Sequence, residues 1–421
     1  MIDGRGNMKR NLQNFSGYAW AVVALLWPVV MLNYLDRQMV STIRASIRAD
    51  IPSIANDQDF GTLIAVFMWV YAFLSPIGGF VADRFNRRWT VIGSLGVWSV
   101  VTWATGHATT YSQMLCFRAL MGISEAFYIP AALALIADFH SGGTRARAVG
   151  IHQSGIYAGL ALGGIGGYIA QTSSWRNCFT WFGVTGVIYA VVLVLALRDA
   201  PAAAGEAGSK KSSVTVGETL RALWTQPAFW ILVVYFTFPA IAGWVTKNWL
   251  PTYLADTFQL KEGPAGLSAT GYIQLASFVG VLLGGVIADG WMRVTPRGRI
   301  YTSAIGVFLL VPALLGLGFA WNLGAAIGFM VLFGIGWGFF DCNNMPILCQ
   351  IARPEHRATG YGCMNFVSIS VGAGATVLLG WMRDHGIKFT MAFAVSAAVA
   401  LLSAGLILLV KPRNEQELTR R

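Results

Sequence analysis

Runs of about 20 apolar residues, each long enough to cross roughly 30 Å of hydrocarbon as a helix, recur twelve times along the 421-residue chain. Their approximate bounds are 18–42, 60–82, 89–107, 112–138, 146–170, 177–197, 228–255, 267–289, 300–320, 324–350, 356–380 and 388–410. A backbone inside lipid has no water to bond to, so each run must satisfy its own amides, which selects helices. The expectation is an all-α polytopic membrane protein with the bilayer as its first partner. At 55% hydrophobic and 12% charged, with 48 Gly and 16 Trp, the chain is too apolar for a soluble domain of this length.

The net charge of +11 does not indicate nucleic acid, because the Lys and Arg lie in short clusters between apolar runs. If the N-terminus is cytoplasmic, 21 of the 30 basic residues fall in cytoplasmic segments and only Arg44, Arg48, Arg176, Lys261, Arg383 and Lys388 fall outside. By the positive-inside rule both termini are cytoplasmic, and a bacterial inner membrane is the expected setting. Arg37, Arg118 and Lys247 remain, inside spans. The basic N-terminus precedes a long apolar run without a small-residue cleavage site, so that run reads as a retained first span. Five cysteines, all within apolar runs and without paired spacing, suggest neither a disulfide framework nor a metal site.

Residues 199–218, DAPAAAGEAGSKKSSVTVGE, are polar, basic and rich in Ala, Gly and Ser. They divide six spans from six: an N-terminal half at 1–198, a cytoplasmic linker at 199–226 and a C-terminal half at 227–421. The halves repeat. GGFVADRFNRR after span 2 matches GGVIADGWMR after span 8, placing Asp83 on Asp289, and RAVG before span 5 matches RATG before span 11. Gly79, Asp83, Arg84, Arg87 and Arg88 fit the G-x-x-x-D-R-x-x-R-R loop, and on these residues the chain resembles the major facilitator superfamily. The resemblance implies twelve helices in two pseudo-symmetric halves around a mid-membrane substrate site. It also implies a gating role for that loop and for Asp289, whose clasp is expected to be weaker because Gly290 replaces the first Arg.

Charges inside a span usually face a bundle interior or a water-filled cavity. Asp36 and Arg37 lie in NYLDRQ of span 1, and Arg118 and Glu125 in FRALMGISEAFYIP of span 4. The seven-residue spacing of the latter pair, nearly two helical turns, puts both on one face. Lys247 in WVTKNWLPTYL is 210 residues beyond Arg37, so each half carries a cation at the same depth of its first helix. Asp36-Arg37, the Arg118/Glu125 pair and NWLPTYL together resemble the anion:cation symporter family, which includes sugar-acid transporters. That resemblance implies Arg37 as contact for a substrate carboxylate, with Asp36 and Glu125 carrying coupling protons.

Counting charges supports the same mechanism. Arg37, Arg118 and Lys247 balance Asp36, Glu125 and Asp341 when all are ionised. Protonating one acid leaves a positive charge for an anion to neutralise, so proton and anion favour each other's binding. The plain alternative is that these groups are structural ion pairs.

Tyr34, Tyr71, Gln153, Tyr157, Gln274 and Asn365 are candidates to read substrate hydroxyls, or equally to make interhelical hydrogen bonds worth about 1 kcal/mol. The phrase ADFHSGGTRARAVGIHQSGIYAG instead leans toward the spinster-like branch, linked to amphiphilic lipids. The expectation is a monomeric, proton-coupled symporter of a small organic anion such as a hexuronate or aldonate. A lysolipid carrier or a facilitative sugar uniporter is the alternative. No metal-ligand spacing, phosphate loop or paired nucleophile suggests an enzyme, and no cofactor is expected beyond the coupling proton, with Na⁺ left open as its substitute.

Overall fold

The computed structural model describes residues 4–199 and 216–412, apart from the side chains of 4–16, Gly79, Ala82, Asp83, Val216 and Leu220. Most of the linker, 200–215, therefore lies outside the described residues. Its last part is a helix, Val216–Trp224, which packs on spans 7 and 11 and buries Thr219 and Leu223.

Among the described residues the elements are all helical. The first three spans are Gly4–Thr42, Asp57–Arg84 and Arg87–Thr105. The fourth is Tyr111–Glu125 followed by Tyr128–Phe139, the fifth Gly143–Leu162 followed by Ile165–Thr172, and the sixth Trp175–Ala196. The second half repeats the plan with Pro227–Phe258, Glu262–Met292, Gly298–Gly318, then Leu323–Asp341 followed by Asn344–Cys349, and finally Arg357–Asp384 and Phe389–Ile407. Ten of these are long and apolar enough on their own to cross a membrane. The third and fifth are not, since the third opens on Arg87-Arg88 and the fifth is polar at its start and interrupted at Gly163-Gly164. Neighbouring helices supply what lipid would not: His152, Gly155 and Gly159 of span 5 are buried against span 1 and its neighbours.

Spans start where side chains cap them. The side-chain oxygens of Asn56, Asn86, Thr110, Ser174 and Asn322 accept the N–H of a residue two or three further on, satisfying donors that a helix end leaves free.

The two ends of the bundle differ. On the side opposite the linker, here the far side, the core runs through both halves: Met39, Ile43, Phe60 and Leu63 share one apolar cluster with Trp249, Leu250, Ala265 and Leu379. Span 2 lies along span 11 and span 5 along span 8, at very close range. A Cβ on Gly164 would lie 2.5 Å from Leu267 Cα, and one on Gly380 2.4 Å from the Asp57 carbonyl oxygen. On the linker side the N-terminal half has a separate core of Val22, Leu26, Leu95, Trp98, Tyr128, Ile136 and Leu193. The halves are thus joined at the far side and parted on the linker side.

Candidate functional site

Spans 1 and 7 meet at the apex of the cleft between the halves, where Gln38 Nε2 donates to the Lys247 carbonyl at 2.9 Å. The same pattern of buried and half-buried positions runs through residues 31–40 and 241–250. Met31, Tyr34 and Arg37 are the half-buried set of span 1, and Ile241, Trp244 and Lys247 that of span 7. The offset of 210 seen in sequence is a structural equivalence, with both cations at half-buried positions.

Arg37 Nε donates to Glu125 Oε2 at 2.6 Å, with Glu125 wholly buried. The guanidinium carbon also lies 4.3 Å from the Tyr71 ring centre, 4.6 Å from Tyr34 and 5.0 Å from Phe67, so three aromatic faces hold it in place. Asp36 is buried and accepts from Thr102 Oγ1 of span 3 at 3.1 Å. Arg118 shares the Glu125 face of span 4, as its spacing requires, but is only 1% exposed. Its Nε donates to the Leu63 carbonyl at 3.3 Å and its guanidinium covers the other ring it shares, Phe67, at 4.6 Å. In this state Arg118 sits inside the N-terminal half, where it feels Glu125 and Asp36. Arg37 Nη2, Glu125 Oε1, Asp36 Oδ1 and the amide of buried Asn33 have no hydrogen-bond partner among the described residues.

The C-terminal half is arranged otherwise. The Lys247 ammonium lies 4.5 Å from the Trp337 ring centre and 5.5 Å from Trp244, with no acidic partner within ion-pair distance among the described residues. Asp341 is exposed to the cleft and accepts the Tyr157 hydroxyl at 2.9 Å, a bond between the halves. Asp341 and Lys247 are near enough to feel each other's charge. Asp341 also occupies the position of Glu125 in its own half. Each acid ends the first segment of a fourth span, Tyr111–Glu125 or Leu323–Asp341, and a two-residue break follows. Gln153 and Asn365 are half-buried, whereas Gln274 is 3% exposed and lies within the packing of span 8.

On the linker side, Arg87 pairs with Asp138 at the end of span 4, Arg88 Nη2 donates to the Val194 carbonyl at 2.6 Å, and Arg84 covers Phe80 at 4.6 Å. The surroundings of Gly79 and the side chain of Asp83 lie outside what the structure describes. Asp289 pairs with Arg299 at 2.7 Å, inside its own half. Sequence alignment pairs Arg147 with Arg357, but the structure pairs Arg145 with it. Arg145 donates to the His140 and Ala137 carbonyls at 3.0 and 3.1 Å, and Arg357 to the Ala352 and Cys349 carbonyls at 3.2 and 3.0 Å. Both arginines thus reach back five and eight residues to bind free carbonyls at the end of the preceding span.

A far-side lock escaped the sequence reading, which placed Arg44, Arg48 and Arg383 in outer loops. All three converge on buried Asp57, with Arg48 Nη1 and Arg383 Nε each at 2.6 Å and Arg44 Nε at 2.9 Å. The Asp384 carboxylate of span 11 accepts the backbone N–H groups of Asp57 and Gln58 at 2.9 and 2.8 Å, capping span 2 from the other half. Glu262 likewise accepts from the backbone N–H of Ser46 at 2.9 Å and from its hydroxyl. The asparagine and aspartates of NDQD at 56–59 announced a helix start, but nothing local announced partners some 327 residues away.

Comparison with known proteins agrees with this architecture. A model of the Major Facilitator Superfamily matches residues 14–377. Similar sequences include protein spinster of Drosophila melanogaster, 26% identical over 88% of this chain; the chain spans 62% of the fly protein's length. Human protein spinster homolog 1 is 28% identical over 88% of this chain and 74% of its own. The hexuronate transporter of Bacillus subtilis (strain 168) is 24% identical over 94% of this chain and 96% of its own. Among solved structures, a bacterial homolog of the human lysosomal transporter Spinster, inward-facing and occupied, superposes with a TM-score of 0.77 at 20% identity, over 93% of this chain and 97% of that one. The unoccupied form gives 0.74. By a match over most of its length, and with the twelve-helix arrangement that match requires, this chain belongs to the Major Facilitator Superfamily and is a transporter.

Proposed function

We propose that the chain is a proton-coupled symporter of a small organic anion, a sugar acid of the hexuronate or aldonate type, working by alternating access. The observation that carries the reading is the Arg37–Glu125 bond at 2.6 Å. A buried carboxylate of the protein occupies the edge of the guanidinium that a substrate carboxylate would take. When Glu125 takes up a proton its hold on Arg37 weakens, and the arginine becomes available to the substrate. Proton and anion then favour each other in both directions. Asp36 neighbours the same cluster and is the second candidate carrier, and Asp341 is the counterpart acid of the other half. With the basic linker side facing the cytoplasm, the parted end is the inner one and the locked end the outer one. The similarity to a hexuronate transporter over nearly the whole of both chains supports the substrate class.

A second reading, a carrier of an amphiphilic lysolipid, is favoured by the spinster relatives and by one feature of the surface. Tyr272, Leu275, Ala276, Val279, Val331 and Ile335 line an apolar groove between spans 8 and 10. The test is uptake of labelled hexuronates and aldonates, and of a labelled lysolipid, into proteoliposomes with and without an imposed pH gradient. Gradient-dependent accumulation of a sugar acid is expected. Uptake of the lysolipid alone would replace the first reading with the second, and accumulation indifferent to the gradient would end proton coupling.

A further inference from the structure

We propose that the substrate carries two acidic groups, one held by Lys247 and the other by Arg37; the proposal rests on the organic-anion reading above. The repeat supplies the first argument. Arg37 and Lys247 are equivalent, half-buried cations of opposite halves, on spans that touch through Gln38 and the Lys247 carbonyl.

The second argument is availability. Lys247 sits half-buried within the membrane with no carboxylate within ion-pair distance among the described residues, while the nearby Asp341 accepts the Tyr157 hydroxyl. A desolvated ammonium in that position calls for an anion. Arg37 Nη2 is buried and has no hydrogen-bond partner among the described residues, so the guanidinium has donor capacity beyond its bond to Glu125.

The third argument is separation. Tyr34, Tyr71 and Phe67 fix the guanidinium on the N-terminal side, and Trp244 and Trp337 flank the ammonium on the C-terminal side. Each cation is held in its own aromatic surround, one in each half, rather than in one movable pair. A molecule with an acid at each end and a polyhydroxylated middle matches this layout. Its C–H faces lie on the flanking rings, its hydroxyls reach exposed Asp341, and it ties together the two halves that must move. A sugar diacid meets that description and a sugar monoacid meets half of it.

The experiment compares an aldonate with the aldarate of the same hexose, by direct binding to the purified full-length carrier and by competition for uptake. The diacid is expected to bind at least about tenfold more tightly, the scale of one added charge-assisted contact. Lys247→Gln should bring the ratio of the two affinities close to one, and Lys247→Arg should preserve it, which separates loss of charge from loss of fold. Equal affinities in the wild type, or a ratio unmoved by Lys247→Gln, would mean a single anion site and overturn the proposal. Binding of the monoacid alone would overturn it while leaving the organic-anion reading intact, whereas binding of neither acid would remove both.

Discussion

Replacing Glu125 with glutamine is the perturbation that bears most directly on the mechanism. The amide keeps the shape of a protonated acid but cannot neutralise Arg37, so an ion pair becomes a hydrogen bond from the guanidinium to a neutral oxygen. Attraction between unit charges about 4 Å apart is worth about 1 kcal/mol in water and about 4 kcal/mol at an effective dielectric of about 20, part of which only offsets the cost of burying the carboxylate. Roughly 1–2 kcal/mol of competition for the guanidinium therefore disappears, and anion affinity should rise about 5- to 30-fold. In the wild type, affinity should fall as pH rises through the titration of Glu125 and then level off, the whole fall being that same factor of about 5 to 30, because the ionised acid competes for Arg37. In Glu125→Gln that dependence should flatten.

The variant should also be less stable without ligand, since a buried arginine loses its counter-charge, and substrate should restore more stability to it than to the wild type. Binding isotherms across pH on purified, monodisperse protein, with counterflow and gradient-driven uptake in proteoliposomes, make the full assay. Counterflow should persist and gradient-driven accumulation should stop. Weaker binding in Glu125→Gln, with a pH dependence like that of the wild type, would refute the competition and leave the ion pair a structural one.

Other predictions concern the moving ends. Asp57→Asn removes the charge on which Arg44, Arg48 and Arg383 converge; far-side distances between spin labels on the two halves should lengthen, and unchanged distributions would show the lock to be incidental. Gly164→Val places a branched side chain where even a Cβ would lie 2.5 Å from the backbone of Leu267. Overpacking of that kind costs about 1–3 kcal/mol, so a cysteine in span 8 near Thr270 should become open to a far-side impermeant thiol reagent. Arg145→Ala should lower thermal stability in detergent by the loss of two carbonyl contacts, about 1–3 kcal/mol, while Arg147→Ala, an exposed residue with no hydrogen bond among the described residues, should not.

The twelve spans, the duplication and the intramembrane charges were legible because each rests on chemistry that needs no partner to be recognised. An apolar run of membrane length is a helix whatever surrounds it, and a charge within such a run implies a polar environment. The third and fifth spans fail a hydropathy test on their own and still cross, since buried His152 and the bare glycines of span 5 meet protein rather than lipid. Pairing was less legible. The RAVG and RATG phrases align by letter at Arg147 and Arg357, but the task of binding the preceding carbonyls falls to Arg145, because reach from the helix start decides it and phrase similarity does not. Charge counting treated the six intramembrane charges as one neutral pool. The fold divides them unequally, with Glu125 spent on Arg37, Asp341 bound to Tyr157 and Lys247 without an ion pair among the described residues. Two halves built on one plan thus arrive at a closed cation and an open one. On the proposed mechanism, substrate arrives at Lys247 before any proton moves, and release of Arg37 is the step that a proton controls.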